Sequence, residues 1–216
     1  MRRLTLTLAS LSLVACAHEA APPPPPPAVP TVAVTPPPVP VAPVADNEQV
    51  PDIEYVPTPD NVVAKMLEVA KVGKSDVLYD LGCGDGRIVI TAAKRFGIKG
   101  KGFDIDPDRI KESTENARKA GVENLVSFEK KDIFTVDLSP ATVVTLYLLP
   151  ELNVRLVPQL EKLRPGARIV SHDFDMEGVK WENWWTVIAK DHRTPKDREH
   201  YVYLWKTPLK KTAAKP

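Results

Sequence analysis

The segment Asp80-Leu81-Gly82-Cys83-Gly84-Asp85-Gly86-Arg87 sets three glycines two apart behind an acid, directly after an apolar stretch. Glycines at that spacing let a ligand approach the main chain, and a loop that feeds a helix exposes amides without intrahelical partners. The dinucleotide fingerprint is G-x-G-x-x-G, whose last glycine packs helix on strand beneath a pyrophosphate. Here the spacing is G-x-G-x-G, and Asp80 stands two residues before the first glycine. A carboxylate in that place repels pyrophosphate and suits a ligand bearing an ammonium or sulfonium group. Asp85, Asp104 and Asp132 are further acids, and a carboxylate can accept from two hydroxyls at once. Asp85 could equally close the helix start, and Asp106 before Pro107 is a helix cap. Cys83 is read as a side chain small enough for the loop rather than as a reactive thiol. No metal site is expected: His172 and Asp173 are adjacent in an extended run, which sends them to opposite faces.

These residues need a scaffold of alternating strand and helix, and the sequence supplies it from Pro51 to Lys206. Thr58-Pro59-Asp60 predicts a helix start, with the Thr58 hydroxyl as cap and proline in the first turn. Val62, Val63, Met66, Leu67 and Ala70 continue it toward Gly73. Strands are expected at 76–81, 101–105, 125–129, 141–148 and 167–174, and helices at 88–96, 107–120 and from Pro150 to Leu163. Pro158 predicts a kink or break in that last helix. The alternation then stops: 184–189 and 199–205 read as an antiparallel hairpin at the sheet edge. Trp181, Trp184 and Trp185 either bury those strands or shape a rim. Residues 207–216 read as a basic, solvated tail.

The chain has 216 residues with 29 Lys+Arg against 28 Asp+Glu, so it lacks the cation excess with which nucleic-acid binders displace counterions. Two cysteines, Cys16 and Cys83, exclude a disulfide scaffold. Residues 1–15 combine a basic start, an apolar core too short to span a bilayer, and small residues before Cys16. Leu13-Val14-Ala15-Cys16 resembles the bacterial lipobox, which implies an acylated Cys16 and a membrane anchor. Ala17 in place of aspartate favours outer-membrane sorting. Twelve of the 23 prolines lie between Pro22 and Pro43. Residues 16–50 are therefore expected to form an extended spacer, roughly 80 Å for its 26 most proline-rich residues at about 3.1 Å each. A cell-envelope protein of a Gram-negative-type bacterium is the expected setting, with residues 51–206 as its working domain.

The loop from Asp80 to Gly86 resembles motif I of the class I, seven-strand S-adenosylmethionine-dependent methyltransferases. The resemblance implies a Rossmann-like, doubly wound α/β sheet with an antiparallel last strand, and S-adenosyl-L-methionine as cofactor. It assigns Asp80, Gly82, Cys83, Gly84 and Asp85 to the cofactor loop, Asp104 to the ribose hydroxyls and Asp132 to the adenine amino group. Tyr147-Leu148-Leu149-Pro150 takes the place of the motif facing the methyl group. Tyr55-Val56-Pro57-Thr58-Pro59 and Val170-Ser171 add a narrower likeness, to protein-lysine methyltransferases from archaea and mitochondria. By that likeness Thr58 lies over the cofactor and Tyr147 borders a lysine channel as the catalytic-site residue. The polar Ser171-His172-Asp173 segment and the export signal depart from it.

The implied reaction is methyl transfer to protein lysine by a monomer, with no nucleic-acid partner. Two alternatives stand beside it: an exported, non-catalytic nucleoside-binding or scaffold domain on the same fold, and a small-molecule methyltransferase. A dinucleotide oxidoreductase is disfavoured by the glycine spacing.

Overall fold

The computed structural model describes residues 55–212. The signal, Cys16, the spacer and the last four residues lie outside the described residues. Five parallel strands form most of one sheet: β1 (Val77–Leu81), β2 (Lys99–Asp104), β3 (Val126–Lys130), β4 (Val143–Leu146) and β5 (Arg168–His172). Two longer strands, β7 (Asn183–Lys190) and β8 (Asp197–Lys206), pair as the expected antiparallel hairpin. The order is β3-β2-β1-β4-β5-β8-β7, with β8 antiparallel to β5. A short β6 (Val179–Lys180) pairs with β9 (Lys210–Lys211) in a separate ribbon.

Strand alternation divides the core between the two faces. Leu78, Val143, Val170, Val202 and Leu204 pack with α1 (Asp60–Val69), α2 (Arg87–Phe96) and α3 (Pro107–Lys119). Tyr79, Leu81, Val144, Leu146, Ile169, Tyr203 and Trp205 point the other way, against α4 (Pro150–Leu160). The order reverses between β1 and β4, because the chain runs outward from β1 to β3 and returns beyond β1 as β4. In such sheets the crevice at the carboxyl ends of those two strands is where ligands bind.

Several local expectations need correction. Helix α1 is capped by Pro59 without a side-chain hydrogen bond and gives way at Ala70, short of Gly73. The Thr58 hydroxyl is instead 3.2 Å from His172 Nδ1. Helix α4 runs through Pro158 without a break and ends two residues later. Strand β5 stops at His172, not Phe174, because Asp173 turns into the left-handed region at φ +61°. The tail is not simply solvated either: Lys210 and Lys211 pair with β6, and they bridge to Glu182 at 2.8 Å and Glu161 at 2.6 Å.

Candidate active site

At the switch point a cavity of about 670 Å³ opens between the loop after β1, the ends of β2 and β4, and residues 55–58. Thr58, Asp80, Gly82, Cys83 and Asp85 line it from one side, and Asp104, Asp132 and Tyr147 from others. Gly84 belongs to the same loop but is absent from the cavity wall; its N–H donates to Asp104 Oδ2 at 2.9 Å.

The loop's shape follows from its glycines. Gly84 sits at φ +51°, and a Cβ there would lie 2.1 Å from the Tyr55 ring. Tyr55 therefore lies directly on the loop and stretches residues 55–58 along the cavity. The Arg109 guanidinium covers its ring at 4.9 Å, and Arg87 donates to the Thr58 carbonyl at 2.9 Å. Cys83 is buried against Gly102, and burial raises its thiol well above the ordinary range. That suits a packing residue and removes the thiolate a nucleophile would need.

Three acids take different roles. Asp80 is fully buried, forms no ion pair among the described residues, and accepts from Thr145 Oγ1 at 2.7 Å across the β1–β4 ladder. Burial lifts its carboxyl to about 7; the Thr145 bond opposes the rise and the Asp104 and Asp85 charges add to it. Burial also works against the Asp85 charge, but Arg87 holds that carboxyl below the ordinary range through a 2.7 Å ion pair. Asp85 also accepts from the Arg87 N–H at 3.1 Å, so its oxygens are already engaged at the helix start. Asp104 ends β2 and fastens two loops, accepting from Gly84 N and, at 3.0 Å, from Asp106 N. Asp132 turns its carboxylate to Phe134 N at 2.9 Å, starting a short 3-10 turn on the cavity wall.

Sequence reasoning missed the arginines. Arg155 lies 3.7 Å over the Phe134 ring and forms part of the wall, while Arg109 secures Tyr55. Each pair joins residues more than twenty apart, and no local spacing signals them. The expectation that His172 and Asp173 face apart is also wrong. The left-handed turn at Asp173 folds its carboxylate back, so His172, Asp173 and His200 bring their polar atoms within 4.8 Å of one another. His172 Nε2 and His200 Nδ1 already share a 2.8 Å hydrogen bond, and Arg198 lies 2.5 Å from Asp173 Oδ2. The group is hydrogen-bonded within itself and to Arg198, and His200 Nε2 is left buried without a partner among the described residues.

This geometry has counterparts among known proteins. Residues 80–183 match the ANTKMT methyltransferase domain family. The chain is similar to a protein-lysine N-methyltransferase of Saccharolobus islandicus, 48% identical over 158 residues, covering 72% of this chain and 94% of that protein. It is 29% identical over 153 residues to a human lysine N-methyltransferase named for a component of ATP synthase, covering 68% of this chain and 65% of that one. Among solved structures, an RNA methyltransferase from Salinibacter ruber in complex with S-adenosyl-L-homocysteine is 49% identical, with a TM-score of 0.64. That match covers 73% of this chain and 97% of that chain.

The residues present fit S-adenosyl-L-methionine as cofactor. A buried carboxylate without a cationic partner among the described residues, Asp80, is costly alone and is relieved by a positively charged ligand. Asp104 retains lone pairs on each oxygen for hydroxyls. The close glycine loop admits a ligand against its backbone. By this fit and these likenesses the chain belongs to the class I S-adenosylmethionine-dependent methyltransferases, in the group that carries the ANTKMT methyltransferase domain.

Proposed function

We propose that the protein transfers a methyl group to the side-chain amine of lysine in a protein substrate. The observation that carries this reading is the likeness to the Saccharolobus enzyme, nearly half identical along almost its whole length and a protein-lysine N-methyltransferase. The site supports it with an aromatic wall. Tyr147 lines the cavity beside Leu148, and its ring stacks on Phe174 with centroids 6.3 Å apart and planes 20° apart.

The bound cofactor supplies a methyl group activated by its sulfonium. The chain's own residues do the rest. Asp80 and Asp104 hold the charged and hydroxyl-bearing parts, and residues 55–58 with Leu148 narrow the cavity against water. A lysine reacts only as the free amine, and an aromatic, poorly hydrated wall lowers the ammonium's pKa. The lysine ammonium would first lose its proton to solvent; the free amine would then take the methyl group as the carbon–sulfur bond breaks, leaving a neutral thioether. Positioning and a dry, pre-arranged site supply the catalysis.

A second reading, methylation of RNA, comes from the Salinibacter structure. The near-balance of 29 basic against 28 acidic residues favours the protein acceptor. Incubating the full chain with methyl-tritiated cofactor and either poly-lysine or an RNA oligomer separates the two. Label in poly-lysine, recovered as methyl-lysine after hydrolysis, is expected; label in RNA alone overturns the lysine reading.

The N-terminal features support a setting for that activity. Removal of residues 1–15 and acylation of Cys16 tether the domain (51–206) to the envelope through the proline-rich segment 16–50, with 207–212 closing against β6. The domain works as a monomer facing lysine-bearing envelope proteins. Cys16→Ser is expected to leave the protein soluble and without acyl mass. Continued membrane partition contradicts the anchor.

A further inference from the structure

We propose that Asp173 is a positioning residue for the acceptor amine: it fixes the Tyr147 phenol so that the phenol oxygen receives an N–H of the incoming lysine. The inference rests on the lysine reading above and adds to it a residue outside the cofactor loop. Asp173 occupies the left-handed region at φ +61°, which residues with a Cβ adopt uncommonly, aspartate more readily than most, and which clusters at functional sites.

What holds it there is extensive. The Asp173 N–H donates to the Tyr201 carbonyl at 2.7 Å, and the next N–H, of Phe174, returns to His172 O at 2.8 Å. Asn153, fully buried on α4, donates to the carbonyls of Phe174 and Asp175 at 3.3 and 3.1 Å and clamps the turn from below. The carboxylate accepts from Arg198 on both oxygens, at 3.3 and 2.5 Å, and from Tyr201 N at 3.0 Å. Burial opposes its charge, but the Arg198 hydrogen bond keeps it below the ordinary carboxylate range, so it remains an acceptor. The Tyr147 hydroxyl lies 3.4 Å from Oδ2 and has its proton to give.

Tyr147 is also fixed from the side. Its ring packs on His172 with centroids 3.9 Å apart, and His172 is in turn held by Thr58 and His200. Burial brings the His172 imidazole down to about 3, so the ring behind Tyr147 is neutral and adds no competing cation. A phenol whose proton is given away keeps its oxygen lone pairs for an acceptor role. Accepting one N–H of the amine turns the nitrogen lone pair, which is what an in-line displacement requires. The polar Ser171-His172-Asp173 segment, odd in a buried strand end, has this use.

The test compares Asp173→Gly, Asp173→Asn and Tyr147→Phe with the wild type as full chains. Glycine suits the left-handed turn and removes only the carboxylate; asparagine restores one acceptor for the phenol. Methyl transfer to poly-lysine is measured alongside calorimetric affinity for S-adenosyl-L-homocysteine. Asp173→Gly and Tyr147→Phe are each expected to lower kcat about tenfold or more with cofactor affinity within about twofold of wild type. Asp173→Asn should recover part of that loss, and Asp173→Gly/Tyr147→Phe should be no slower than the worse single variant. Unchanged kcat in Asp173→Gly overturns the proposal, as does an equal loss of cofactor affinity, which marks a purely structural role. Wild-type transfer to RNA and not to poly-lysine overturns the lysine reading instead, and the same variants are then compared on RNA.

Discussion

Asp80 is where the site's chemistry is most exposed to measurement. Its folded-state pKa of about 7 stands above the ordinary 3.8, so the ligand-free fold binds that proton more tightly than the unfolded chain. The stability it contributes is therefore present at low pH and is lost as pH rises from about 4 through 7. Asp80→Asn should raise ligand-free stability at pH 8 by on the order of 2 kcal/mol, seen in denaturant unfolding. The cofactor sulfonium favours the ionised carboxylate, and protons compete for it. Affinity for S-adenosyl-L-methionine should thus fall about tenfold from pH 8 to 6 in wild type and stay flat in Asp80→Asn. Equal pH dependence in both would show that Asp80 does not face the cofactor's charge. Gly84→Ala should weaken cofactor binding by more than about tenfold, since its Cβ collides with Tyr55 in a left-handed backbone; unchanged affinity by calorimetry would refute that. These residues were legible because their meaning lies in local spacing: an acid two before a glycine, glycines two apart. Asp173 was not, because its partners Tyr147, Arg198 and Tyr201 stand 25 to 28 residues away and meet it only through strand pairing, Tyr147 by β4–β5 and Arg198 and Tyr201 by β5–β8.

Among the elements, strands and helices followed the period of the apolar residues closely, and their ends did not. Thr58 shows why. Its place before Pro59 and Asp60 makes a good cap on paper, yet the hydroxyl is drawn to His172 on β5, 114 residues on. Tertiary contact outcompeted the local bond. The unbroken α4 matters for the same reason, since it carries Asn153 to the turn after β5. Asn153→Ala should destabilise the fold by about 1–3 kcal/mol, because the two N–H donors of its buried amide, shared among Ser171 Oγ and the Phe174 and Asp175 carbonyls, are lost. It should also reduce turnover more than cofactor affinity, as the Asp173 turn loosens. A destabilisation with wild-type turnover would separate the two roles and contradict the clamp.

The whole molecule places its chemistry by topology. The reversal between β1 and β4 opens one crevice, and the acid, the glycine loop and Tyr147 all arrive there from strand ends. The hairpin of β7 and β8 closes the sheet and brings Arg198, His200 and Tyr201 behind β5. Trp205, fully buried, ties that hairpin to β6 through a 3.2 Å bond to the Val179 carbonyl. Trp205→Ala should cost about 3–5 kcal/mol in unfolding measurements. The alternation of strand and helix was readable from end to end, whereas the β6–β9 ribbon was not, because two-residue strands carry no period. Everything proposed for the chemistry depends on this crevice binding S-adenosyl-L-methionine through Asp80 and Asp104. Calorimetric titration of the full chain with S-adenosyl-L-methionine checks that dependence, in wild type and in Asp104→Ala shown to be folded by circular dichroism. Micromolar binding that drops at least about tenfold in the folded variant is the expected result. Binding unchanged in Asp104→Ala, or none by a folded wild type, contradicts the assignment of this crevice to the cofactor.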